Sequence, residues 1–145
     1  MNDIILEENK KEKNVMAVTG IEHIGVVSHN TAALKDWYME VFGGKVVYDN
    51  GKGTYFLQFE DGSMIEFVSA EADRNEEIER TAGIRHIAFS VSSEAFDEIT
   101  AVLKKDERAQ EVHDVSENAS GLKTYWFRDI EGNFAHLIYR PVPLG

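Results

Sequence analysis

Four side chains in this 145-residue sequence could together hold a metal ion: His23 in "GIEHIG", Glu66 in "DGSMIEFV", His86 in "GIRHIA" and His136 in "EGNFAHLI". Imidazole nitrogen and carboxylate oxygen suit zinc, nickel, cobalt, manganese or iron, and a chain without cysteine excludes thiolate ligands. Repetition selects these four. "GIEHIG" at 20–25 returns as "GIRHIA" at 83–88, and "TYFLQFEDGSMIEFV" at 54–68 aligns without a gap on "TYWFRDIEGNFAHLI" at 124–138, which sets Glu66 opposite His136. One histidine in a strand is usually a hydrogen-bonded structural residue. Three imidazoles and a carboxylate facing one cavity would be costly to bury unless paired or metal-bound, so one divalent transition metal is the expected cofactor.

Placing these residues together calls for two copies of one unit. "GIEHIGVVS" and "GIRHIAFSV" read as buried strands, each followed by a helical pattern, "NTAALKDWYMEVFGG" and "SSEAFDEITAVLKKD". Asn30 or Thr31 and Ser92 or Ser93 are the N-cap candidates, and Gly43 with Gly44 ends the first helix. "KVVYDN" and its weaker counterpart "AQEVHDV" supply a short strand, and the aligned hairpins supply two more. The fold class is α+β, two β-α-β-β-β modules whose uncovered sheet faces curve into an open barrel or trough.

Period-two alternation assigns the faces. His23 and His86 point into the trough, while Ile24, Val26, Ile87 and Phe89 point at the helices. In the hairpins Phe56, Gln58, Trp126 and Arg128 face the trough as substrate contacts, Arg128 for a carboxylate and Trp126 as an apolar wall. Met64, Phe134 and Ile138 line the same cavity. The repeat offset is 63 residues from His23 to His86 and 70 from Thr54 to Thr124, so "ERAQEVHDVSENASG" carries about seven extra residues, read as a loop insertion. His29 and His113 have no repeat partner and are read as loop residues at the surface, His113 within reach of a substrate.

The net charge of -11 argues against partners such as nucleic acid or anionic lipid, which need a basic patch, and favours a small molecule. No apolar run has the length of a membrane span, and "MNDIILEENKKEKNV" has no secretion-signal pattern, so a cytoplasmic protein is expected. Residues 1–19 form an N-terminal extension and 20–141 one domain, with module one at 20–70, a charged linker at 71–82 and module two at 83–141.

"GIEHIGV", "DGSMIEFV", "GIRHIAF" and the "EGNFAHL" strand resemble the four ligand-bearing strands of the vicinal oxygen chelate superfamily, which includes glyoxalase I, bleomycin-resistance proteins and extradiol dioxygenases. The resemblance covers residues 20 to 141. It implies a divalent-metal-dependent lyase or isomerase of the glyoxalase type acting on a small oxygenated substrate, with a ring-cleaving dioxygenase and a binding or resistance protein without turnover as the alternatives. Glyoxalase I proteins present His or Gln, Glu, His and Glu at the four places, and this chain has His136 at the last. The roles that follow are ligands at His23 and His86, ligand and base at Glu66, and ligand or base at His136. A homodimer is also implied, with the site either within one chain or shared between two.

Overall fold

The computed structural model describes residues 20–73 and 82–145; the N-terminal extension and linker residues 74–81 lie outside the described residues. The first module runs β1 (His23–Ser28), α1 (Thr31–Phe42), β2 (Lys45–Asp49), β3 (Tyr55–Gln58) and β4 (Met64–Ser69). The second runs β5 (Ile87–Ser90), α2 (Ser93–Lys105), β6 (Gln110–Glu117), β7 (Lys123–Arg128) and β8 (Phe134–Tyr139). Two separate four-stranded mixed sheets result, in the order β1-β4-β3-β2 and β5-β8-β7-β6, each with its first and last strands parallel. The repeat is therefore a repeat of topology, and the sheets do not close into one barrel.

Local chemistry sets the helix ends. The Asn30 side chain accepts from the Ala33 amide and the Ser92 hydroxyl from the Ala95 amide, so the first of each pair of cap candidates does the capping. At Gly44, with φ of 92°, a Cβ would meet the Gln58 carbonyl oxygen at 2.9 Å, so a glycine is required where the chain turns from α1 into β2.

Two expectations need correction. The extra residues of the second half do not form a separate loop: three lengthen β6 and two lengthen β7 relative to β2 and β3, two extend the connection before β6, and the pairing of β6 with β7 is interrupted by bulges on both sides of His113. His113 consequently lies in a strand, opposite Trp126. A bulge absorbs surplus residues without breaking the flanking ladder, so an insertion in the alignment need not be a loop.

The modules are joined through their helix-covered faces. Trp37, Tyr38 and Phe42 of α1 lie over their own sheet and reach the equivalent face of the other: Phe42 stacks on Phe89 and Phe127 at ring-centroid distances of 4.9 and 5.9 Å, and Trp37 lies 6.4 Å from Phe127. A single core containing Leu57, Ile65, Phe67, Phe96, Tyr125 and Leu137 follows. Two polar ties link the modules, the first half-buried and the second buried. Trp37 Nε1 donates to Asp106 at 2.9 Å, and Arg108, the main cause, holds that carboxyl down at about 2.

The second tie runs from the Tyr38 hydroxyl to Asp129 at 2.7 Å, where Asp129 also accepts from the backbone amides of Glu131 and Asn133 and from the Asn133 side chain. Burial, and then the Asp129 charge, pushes the Tyr38 phenol well above its ordinary value. Tyr38→Phe should therefore cost about 1.5–3 kcal/mol, the worth of a hydrogen bond to a charged group. A urea midpoint that falls with an unchanged slope is the expected result. A midpoint equal to the parent's would mean the bond is worth nothing net.

Candidate metal centre

The uncovered faces carry the residues that alternation assigned to them. Leu57, Ile65, Phe67, Tyr125, Phe127, Ala135 and Leu137 are buried against the helices, while Phe56, Gln58, Glu66, Trp126 and Arg128 are half-buried on the opposite faces. Gln58 Nε2 donates to the Gly62 carbonyl and Arg128 Nη1 to the Gly132 carbonyl, so these equivalent residues brace equivalent turns.

Within each module the structure brings a pair together. His23 Nε2 lies 3.9 Å from Glu66 Oε1, with the Phe56 ring 5.2 Å from the imidazole. The parallel register sets Gly25 beside Glu66, where a Cβ would come within 3.5 Å of Oε1, so the missing side chain leaves room around that carboxylate. In the second module the His86 and His136 rings are 5.0 Å apart, and the Trp126 ring lies 4.8 Å from the first and 4.0 Å from the second.

The two pairs do not meet. Each sits on a face turned away from the shared core, and among the described residues no three of His, Asp or Glu are grouped so as to hold a metal ion. The clefts lined jointly by β1 and the segment containing β5 divide the same way: one of about 450 Å3 contains His86, another of about 840 Å3 contains His23, and neither contains Glu66 or His136.

Protonation favours ligation. Burial lowers the pKa of both His86 and His136, with repulsion from Arg85 second for His86; at His136 the Leu137 carbonyl pulls upward against burial, and His86 and Arg85 add to the lowering. Both imidazoles are thus neutral near pH 7. His136 Nδ1 lies 3.0 Å from the Leu137 carbonyl oxygen, which can only accept, so the proton is assigned to Nδ1 and the lone pair to Nε2. His23 Nδ1 meets Glu22 Oε1 at 2.9 Å, which assigns its lone pair to Nε2, on the Glu66 side, in the same way. His86 Nδ1 is buried with no hydrogen-bond partner. An orphaned imidazole nitrogen and two oriented lone pairs are what a cation would satisfy, so the donor set fits a divalent metal.

Two residues here were missed from the sequence, Glu22 and Arg85, although the signal was present. They occupy the same place in "GIEHIG" and "GIRHIA", immediately before each histidine, and carry opposite charge. Glu22 orients its imidazole by a hydrogen bond, whereas Arg85 lies over the Trp126 and Phe134 rings at 5.1 and 5.3 Å. His29 is exposed, as expected, and pairs with Asp73 at 2.8 Å.

Residues 20–136 match the family model described as the Glyoxalase/Bleomycin resistance protein/Dioxygenase superfamily. No curated protein matches the sequence. Among solved structures, a mutant of the Listeria monocytogenes fosfomycin resistance protein FosX, complexed with Mn(II) and 1S,2S-dihydroxypropylphosphonic acid, is 21% identical with a TM-score of 0.66, covering 83% of this chain and 90% of that one. Lactoylglutathione lyase from Agrobacterium tumefaciens is 20% identical with a TM-score of 0.62, covering 84% and 94%. The structure of Oxidase ChaP-H2 is 18% identical with a TM-score of 0.68, covering 86% and 96%. At these identities the likeness is one of fold, and the three names span a lyase, a resistance protein and an oxidase.

Proposed function

The chain belongs to the Glyoxalase/Bleomycin resistance protein/Dioxygenase superfamily, and from that premise we propose that it is a divalent-metal-dependent lyase or isomerase of the glyoxalase type acting on a small oxygenated molecule. The observation that carries this reading is the pair of equivalent donor sets, His23 with Glu66 and His86 with His136, each holding imidazoles with a nitrogen available. The manganese complex of the Listeria relative supports a divalent ion in this fold.

Because the two pairs face away from a common core, we place the complete centre between two copies, the His23–Glu66 pair of one against the His86–His136 pair of the other. Two equivalent apolar residues support this arrangement: Ile21 and Ile84, flanking the two histidine segments, are 79% and 86% exposed in the single chain. Burying a second copy against them would remove that surface from water.

His23, Glu66, His86 and His136 would hold the ion, which when bound supplies Lewis acidity toward two neighbouring substrate oxygens. Glu66 would then take a proton from carbon beside those oxygens, and His136, when not a ligand, would offer a second neutral base at Nε2. Phe56 and Trp126 would give the two halves of the centre apolar walls, and Gln58 and Arg128, which brace their own turns, lie on the same faces.

Elemental analysis of protein purified without added metal, beside His86→Ala prepared identically, tests the centre. About one transition metal per chain, lost in the variant, is expected. No metal in either after reloading would overturn it. Turnover of a candidate substrate by the metal-loaded parent, abolished in Glu66→Gln, would separate catalysis from simple sequestration. The second reading, a ring-cleaving dioxygenase, draws on the two-histidine, one-carboxylate set available in His23, His86 and Glu66, and would be recognised by bound iron and oxygen consumption during turnover.

A further inference from the structure

We propose that Arg85 and Arg128 form an oxyanion subsite beside the His86–His136 pair, so that the substrate carries a carboxylate or phosphate-type group next to its metal-directed oxygens; this rests on the metal-centre reading for its position but not for its test.

In a chain with 26 acidic and 15 basic residues, Lys35, Lys104, Arg108 and Lys123 all pair with carboxylates. Arg85 pairs with no carboxylate among the described residues; Lys45, Lys52 and Lys105 make no such pair either, but Arg85 differs from them in having its guanidinium over two rings, those of Trp126 and Phe134. Arg128 lies over the same Phe134 ring, also at 5.3 Å, and its Nη1 is anchored on the Gly132 carbonyl at 3.1 Å. Two cations are thus gathered around one aromatic ring.

Both arginines, His86, Asn133 and Phe134 line the cleft of about 450 Å3. Two carboxylates reach that cleft as well, Asp73 and Glu131, and both are engaged by His29, the first through Nε2 at 2.8 Å and the second through its backbone amide. They do not neutralise Arg85. Arg85 is exposed at the edge of the cleft; the aromatic faces restrain its guanidinium, while its in-plane N–H groups remain available for a planar or tetrahedral oxyanion. Holding one end of the substrate there would fix the distance from its charged group to the oxygens it presents beside His86 and His136.

The full chain is stripped of metal on a chelating resin, since a soluble polycarboxylate chelator would compete for the subsite. Inorganic phosphate and acetate are then titrated separately, with chloride at matched ionic strength as control, following binding by calorimetry and tryptophan fluorescence, to which Trp126 reports. Saturable binding of one or both is expected, weakened about tenfold or more in Arg85→Gln. Arg140→Gln, which removes the same charge from an exposed position outside the cleft, should titrate like the parent. Phosphate alone would assign a phosphate-type group and acetate alone a carboxylate. No saturation by either, or an Arg85→Gln titration equal to the parent's, overturns the subsite. Binding that depends on Arg85 in a protein that takes up no metal on reloading would keep the subsite and discard the metal centre.

Discussion

Mixing His23→Ala protein with His86→Ala protein is expected to restore metal binding and activity that neither variant has alone. In a twofold dimer whose centres each take His23 and Glu66 from one chain and His86 and His136 from the other, a mixed dimer has one doubly damaged centre and one intact centre. After random exchange about half the dimers are mixed, so about a quarter of the parent's metal content should return. Mixing His23→Ala with Glu66→Gln should return none, because both lesions fall in the same half of the centre and every site in the mixed dimer retains one of them. If mixed dimers are present by native mass spectrometry and the first mixture also regains nothing, the shared centre is wrong.

The largest stability effect should come from a residue remote from the proposed centre. Trp37 is 1% exposed, contacts Tyr38, Phe42 and Phe127, and donates to Asp106 across the module boundary. Trp37→Ala should cost about 3–5 kcal/mol from lost burial and the cavity left behind. Asp106 would lose one donor but keep Arg108, so the polar term is the smaller part. Trp37→Phe recovers most of the packing and loses the hydrogen bond, and should cost about 1–2 kcal/mol. Equal losses in both variants, measured by denaturant unfolding, would shift the weight from packing to the Asp106 bond.

The repeat made most of the fold legible. A gapless alignment of two hairpins and a twice-used histidine strand fix which residues lie on which face, because side chains alternate strictly along a strand, and Leu57, Ile65, Phe127 and Leu137 are buried accordingly. The pairing of His23 with Glu66 and of His86 with His136 follows from the parallel contact of the first and last strands in each sheet. How the modules sit against each other was not legible. Trp37, Tyr38 and Phe42 form an apolar stripe that any amphipathic helix could have, and nothing in the stripe says that it serves two sheets. The bulged β6 was hidden for a related reason, since a count of extra residues does not distinguish a loop from a ladder that absorbs them. Glu22 and Arg85 were overlooked because comparing the repeats draws attention to what they share, and these residues are where they differ.

The aromatic wedge of α1 separates two notions of a unit that usually coincide. Tyr38, fully buried, and Phe42, half-buried, both pack on Phe89 of the other half, and Phe42 on Phe127 as well, so each half completes part of the other's core. Covalent continuity through residues 74–81 then raises the effective concentration of one half near the other, a role that a relocated connection could also fill. New termini opened there, with the old ones joined, would change the order in which the halves are made and leave their shared interior as it is.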